Sequence, residues 1–284
     1  MAITVNTNVT ALVVQKNLNS AQSQLATSLE RMSTGQKINS AKDDAAGLAI
    51  ATNLATKIRG SEQAQSNIQQ AGNLLSTAEG DITNISDQVD RIRELAVQAS
   101  NGINSTESMT AIKKEVEARI AEINKSAAGS EFNGVNLLDG TASSGLRLQV
   151  GADSAAATNS ITVSGVFGDA SASAIGLLAG SYDTISKAFA GATAAAGFIA
   201  NCDSALADLT TRRTLIGAYQ NRLDSTYNAL DTSIENLSAS KSTIMDTDVA
   251  TESSKYTKAQ ILQQASAALL ATANQAPSIA LSLI

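Results

Sequence analysis

The sequence predicts a mainly α protein built from long antiparallel, coiled-coil-like helical rods that pair N- and C-terminal segments, with a small β-hairpin region in the middle of the chain. Three observations carry that fold class. An apolar rhythm runs through Ala64, Ile68, Ala71, Leu75, Ala78, Ile82, Ile85, Val89, Ile92, Ala96 and Ala99, in steps alternating between three and four residues. The same spacing returns through Ile216, Gln220, Leu223, Tyr227, Leu230, Ile234, Leu237, Lys241 and Ile244. Such a repeat marks a helix that lays a narrow stripe against a partner helix. Between the two rods lies a segment punctuated by Gly129, Gly134, Gly140, Gly145 and Gly151, where Leu146, Leu148 and Val150, then Ile161 and Val163, alternate with other residues as in short strands.

The elements follow in order. Residues 1–33 are expected to be helical after a short polar start, with Leu12, Leu18, Ala21, Leu25, Leu29 and Met32 on one face. Turn formers at Ser33-Thr34-Gly35-Gln36-Lys37 end that helix. A new helix is expected after Ser40, which has capping-box spacing to Asp43, and Gly60-Ser61 is read as a joint before the rod of about 62–99. Asn101-Gly102 stops the rod, and a helix over about 106–128 carries Met109, Ile112, Val116, Ile120 and Ile123. Asp87–Arg91 and Glu115–Arg119 have the spacing of solvated i,i+4 ion pairs. The β-hairpin region covers about 129–165, and a Gly-, Ala- and Ser-rich tip loop about 165–183. A helix resumes near 184 and feeds the returning rod. Asp246-Thr247-Asp248 breaks it, and a last helix ends near Pro277.

Composition narrows the function. The 284 residues are 3% aromatic, with no Trp and one Pro, so Ala and Leu must build the core through long thin helix contacts, which favours oligomerisation. A net charge of −6 with scattered Lys and Arg gives no basic stripe for nucleic acid. No stretch approaches the roughly 20 apolar residues of a membrane span, and the start lacks the pattern of a cleaved signal peptide. His is absent, which removes the commonest general base, and no phosphate loop or zinc-type Cys pair occurs. The expectation is no enzyme, no cofactor and no metal. Asp43-Asp44 is the conspicuous carboxylate pair, and capping explains it better than catalysis. The single Cys202 excludes an internal disulfide framework and is expected to be shielded.

Five stretches closely resemble bacterial flagellin: ERMSTGQKINSAKDDAAGLAIA (30–51), DRIRELAVQASNG (90–102), EFNGVNLLDG (131–140), GAYQNRLDSTYNAL (217–230) and AQILQQASAALLATANQAPSIALSL (259–283). The resemblance covers about the first 140 and last 85 residues, and the short middle makes this a minimal form without outer surface domains. It implies a structural subunit that polymerises into the flagellar filament for motility, with a hook–filament junction protein as the alternative. It implies an inner core of 1–42 with 245–284, an outer core of 43–244, and termini that order on assembly. Candidate self-assembly residues are Leu12, Leu18, Leu25, Leu29, Ile261, Leu262, Leu269 and Leu283. Implied partners are further copies, the flagellar type III export apparatus and its chaperone, and the filament cap and junction proteins. The implied location is an extracellular filament. The family segment read by the flagellin-sensing Toll-like receptor matches at Arg91 as a charged donor, Leu95 as an apolar plug and Glu115 as an acceptor. Departures from the family pattern are Met32-Ser33-Thr34-Gly35-Gln36 and the Leu-Ser-Leu-Ile ending.

Overall fold

A computed structural model describes residues 7–179 and 184–281. The chain divides into two compact units, Met1–Ile58 with Glu235–Ile284, and Arg59–Ile234.

In the first unit, α1 (Val9–Thr34) packs along α7 (Val249–Leu281). Asn8 caps α1 by accepting from Ala11 N at 3.1 Å, and Gly35 stops it at φ +70°, a conformation that costs glycine little. The seam between the helices has its own three-four rhythm, in which small and polar residues alternate with large ones. On α1 it runs through Val14, Leu18, Ala21, Leu25, Ser28 and Met32; on α7, through Glu252, Tyr256, Ala259, Gln263, Ser266, Leu270 and Ala273. The sequence reading put six apolar residues of α1 on one face; the structure splits them, turning Leu12 and Leu29 outward. Past the break at Gly35, Lys37 N donates to Met245 O at 2.7 Å and Thr247 N to Gly35 O at 2.9 Å. Ile38, Ala51 and Met245 form a small core there, flanked by Leu48 and Ile244.

α7 continues past Pro277 to Leu281 rather than ending near it. Proline lacks the N–H that would reach the carbonyl four residues back, and in a helix interior this costs about 3 kcal/mol. That carbonyl belongs to Ala273, and Asn8 Nδ2 donates to it at 2.7 Å. One side chain therefore caps the start of α1 and supplies the donor that Pro277 withholds from α7.

Most of α2 (Ala45–Ala99) and of α6 (Ala192–Met245) lies in the second unit, where they run antiparallel, as the descending partners show. Gln69 Nε2 lies 3.4 Å from Tyr227 OH, Gln220 Nε2 3.4 Å from Glu79, and Arg93 Nε 2.6 Å from Asp203. Every position of the front rhythm from Ala64 to Ala99 is buried, and every position of the returning rhythm is buried or half-buried. A buried large aliphatic side chain contributes about 1.5–3 kcal/mol relative to exposure, so this stripe is the main stabiliser of the unit. α3 (Thr106–Gly129) adds Ile112, Val116, Ile120 and Ile123 to the same core, capped by Ser105.

Gly60-Ser61 is not a joint. α2 passes through it unbroken, because Gly60 admits the loop at Ala152: a Cβ on Gly60 would stand 2.8 Å from that of Ala152. Nor does Ser40 start α2. Asp43 closes a preceding turn by accepting from Asn39 N, Ser40 N and Ser40 Oγ, while Asp44 caps the helix by accepting from Gly47 N at 2.9 Å. Both carboxylates are occupied in ending one segment and starting the next.

The middle holds two antiparallel hairpins: β1 (Glu131–Phe132) with β2 (Val135–Asn136), and β3 (Leu146–Gln149) with β4 (Ser160–Val163). The first turns on Asn133-Gly134, both at positive φ, as a two-residue hairpin loop requires. A four-residue turn of helix, α4 (Ala156–Asn159), precedes β4, and another, α5 (Ile185–Ala188), precedes α6.

The stretch from 165 to 179 is not a surface tip. Val166, Phe167, Ala170, Ala172, Ile175 and Leu177 are all buried in the core. The Arg212 guanidinium holds it down, donating to Gly168 O at 2.7 Å and Asp169 O at 3.1 Å while pairing with Asp208 at 2.9 Å. Its small-residue composition conceals an apolar set spaced by turns rather than by a regular period. Residues 180–183 of the expected tip loop lie outside the described residues.

Candidate assembly surface

The surface that most needs a partner lies on α1 and α7. Leu12, Leu29, Ile261 and Leu269 are 56%, 54%, 60% and 57% exposed, and Val9, Val13, Leu262 and Val249 are exposed with them. Leu18 and Leu25 are half-buried on the seam between the two helices. Of the candidate assembly residues, then, Leu12, Leu29, Ile261, Leu262 and Leu269 face outward, Leu18 and Leu25 join the pair, and Leu283 lies outside the described residues. Large aliphatics left open in this number mark an interaction surface.

One buried charge stands on the seam. Glu252 Oε1 accepts from Ser28 Oγ at 2.7 Å, and Oε2 pairs with Lys255 Nζ at 3.0 Å. Burial works to raise the Glu252 pKa, but the Ser28 hydrogen bond and Lys255, with Arg31 further off, outweigh it and leave it lowered. Sequence periodicity missed this site because it counts apolar residues, and a Ser–Glu pair breaks the count. The signal available was the seven-residue spacing of Glu252, Ala259, Ser266 and Ala273.

The residues matched to receptor recognition separate. Arg91 pairs with Glu94 at 2.6 Å and with Glu115 at 3.4 Å, while Glu115 also takes Arg119 at 3.1 Å; all lie at or near the surface. Arg91 turns to these partners and not to Asp87. Its pKa is raised first by the Glu94 hydrogen bond and then by the Glu115 charge. Leu95 is 2% exposed and sits in the core. Its place on the buried stripe, one step after Ile92, removes it as a surface plug. Cys202 is buried as expected, and burial, seconded by Asp203, pushes its thiol up to about 12, which leaves it inert.

Among the described residues no cluster of His, Cys, Asp and Glu suits a metal ion, and no helix is long and apolar enough to cross a membrane. The geometry is one of paired rods and open apolar flanks.

Comparison with known proteins fits that geometry. The family profile for the bacterial flagellin N-terminal helical region matches residues 5–143, and that for the C-terminal helical region matches 199–284. A flagellar filament 30.7 kDa core protein of Treponema maltophilum is 36% identical over 277 residues, covering 95% of each chain. The chain belongs to the bacterial flagellins. Polar flagellin F of Vibrio parahaemolyticus is 33% identical over an alignment spanning 100% of both chains. A solved structure of a putative flagellar hook-associated protein from Vibrio parahaemolyticus shares the fold at a TM-score of 0.58, with 17% identity, covering 71% of this chain and 99% of that one. Flagellins are structural filament proteins and not enzymes, which agrees with a chain whose polar groups are used in caps and seams.

Proposed function

We propose that this flagellin is a filament subunit in which residues 1–42 and 245–284 form the inner core and 43–244 the outer core. The observation that carries this is the unequal distribution of open apolar surface. Within the rod unit the stripe is closed, whereas α1 and α7 leave Leu12, Leu29, Ile261 and Leu269 uncovered after pairing with each other. A pair that still exposes so much apolar area gains by packing against identical pairs, and a repeated head-to-tail contact that does not close on itself builds a helical polymer. Alone, such a pair recovers little of its ordering entropy, so ordering accompanies assembly. The test is deletion of 245–284. The remaining rod stays folded and forms no polymer; filaments of the truncated chain in electron micrographs refute the assignment.

Export through the flagellar type III apparatus with its chaperone, and contacts with cap and junction proteins, belong to the same reading, as does an extracellular location. A second surface follows from Arg91 and Glu115. Their exposed, mutually bonded charges offer a donor and an acceptor side by side on α2 and α3, the chemistry with which an animal flagellin-sensing Toll-like receptor would be met. Leu95 serves this surface from below, by fixing the helix that presents Arg91. Arg91→Ala and Glu115→Ala in soluble monomer are expected to reduce signalling in receptor-bearing reporter cells; undiminished signalling removes this surface from the assignment.

A further inference from the structure

The rod unit exposes one large aliphatic side chain far more than the rest. Ile103 is 87% exposed, in the loop between α2 and α3. That loop is not slack. Asn104 Nδ2 donates to Gln98 O at 2.6 Å and to Asn101 O at 2.9 Å, and Asn104 N donates to Asn101 O at 3.3 Å. Ser105 Oγ then accepts from Ser108 N at 3.2 Å to cap α3. Ile103 is thus held out into solvent by a braced turn, at a steady hydrophobic cost.

The same unit has an unfilled apolar groove elsewhere. It measures about 250 Å³ and runs between α2 and the hairpins, with Ala71, Leu74, Phe132, Val135 and Leu148 on its apolar side and polar residues such as Asn67 and Gln70 on the other. Val135 is itself an exposed large aliphatic. Arg147 stands on its rim and makes no ion pair among the described residues. Near Ile103, Glu107 in the first turn of α3 is likewise exposed and outside any ion pair among the described residues. Within one unit the groove lies beside the middle of α2 and the knob just past its C-terminal end, and about 28 residues of uninterrupted helix at about 1.5 Å each set them some 40 Å apart. Ile103 cannot reach the groove of its own chain.

We propose that Ile103 of one copy seats in the groove beside Leu74, Phe132 and Val135 of a second copy, with Glu107 set against Arg147. The proposal rests on the filament reading and names one contact within it. Two different patches at separate stations of a rigid rod make a heterologous contact, which repeats without closing on itself, as a filament requires. The charges are opposite in sign, the groove has room for one branched aliphatic side chain, and the knob is braced in advance, which lowers the ordering cost of docking.

The experiment measures the critical concentration for polymerisation of the full chain by sedimentation. Ile103→Asp keeps the wild-type melting temperature, because the side chain touches little of its own fold, and raises the critical concentration at least tenfold. Arg147→Glu alone also raises it, and adding Glu107→Arg to that variant brings it back toward wild type. Chains carrying Ile103→Cys, mixed with chains carrying Val135→Cys and oxidised after assembly, yield crosslinked dimers that neither variant gives alone. A wild-type chain that forms no polymer overturns the filament reading itself. Wild-type polymer that Ile103→Asp forms equally well, or mixed polymer that yields no crosslink, overturns the docking contact and leaves the filament reading standing.

Discussion

Asn8 offers the sharpest test of how the terminal helices hold together. Its Oδ1 caps α1 at Ala11 N, and its Nδ2 meets Ala273 O, the carbonyl left without a helical donor by Pro277. Asn8→Asp keeps an acceptor for the cap and puts a carboxylate oxygen, which cannot donate, in place of the donor to α7. The Ala273 carbonyl, in a residue that is buried, is then left unpaired, a cost of about 1–3 kcal/mol. Asn8→Ala removes the cap as well, adding about 1 kcal/mol. The pair should therefore open about tenfold more often in Asn8→Asp, at about 1.4 kcal/mol per decade, and more often again in Asn8→Ala. Native-state hydrogen exchange of backbone amides in residues 9–34, measured on assembled chains, reads this opening directly. The decisive control is Pro277→Ala, which returns an N–H to the Ala273 carbonyl. In that background Asn8→Asp should cost under about 0.5 kcal/mol, giving a coupling near 1 kcal/mol or more. An Asn8→Asp penalty that is equal in both backgrounds refutes the link between Asn8 and Pro277.

Three further outcomes follow from the same structure. Glu252 has a lowered folded-state pKa, so its contribution is present above the unfolded value of about 4.3 and is lost as pH falls through the lower folded value; the α1–α7 pair should weaken in acid. Glu252→Gln should flatten that acid limb in an exchange-versus-pH series, and an unchanged limb would place the acid sensitivity elsewhere. Gly60→Ala gains about 1 kcal/mol of helix propensity but forces a Cβ onto Ala152, an overpacking cost of about 1–3 kcal/mol, so the melting temperature should fall; a rise would show that the close approach relaxes freely. Leu95→Ala should destabilise the rod unit by about 2–5 kcal/mol in denaturant titration, whereas Arg91→Ala should stay within about 0.5 kcal/mol, and equal values would contradict the buried placement of Leu95.

Where the sequence was legible, large apolar residues recurred at a helical period. The front rhythm names its buried stripe position by position, the returning one names positions that are buried or half-buried, α3 starts at Thr106 as expected, and Leu146–Gln149 pairs with Ser160–Val163 as the alternation predicts. Where it misled, the decisive contact was with a residue distant in the chain or the packing side chains were small. Gly60 looks like a joint until Ala152 is seen against it, and the Gly-, Ala- and Ser-rich stretch after 165 looks like a surface loop until Arg212 is seen pinning its carbonyls. Leu95 looks available beside Arg91, one helical turn away, yet the roughly 40° offset between positions four apart is enough to put it in the core.

The sequence by itself determined that this flagellin is made of rods, because a three-four repeat of Ile, Leu, Val and Ala can be buried only along a partner helix. It also determined the family, through segments at both ends of the chain. Only the tertiary structure decided which apolar residues remain open after the rods have paired. Leu25 and Leu29 are one helical turn apart and equally apolar, but one lies on the α1–α7 seam and the other faces solvent. That division depends on the angular position of the partner helix, which buries the small residues Ala21, Ser28, Ala259 and Ser266 on the seam. Local periodicity does not encode the partner's position; packing across the seam does.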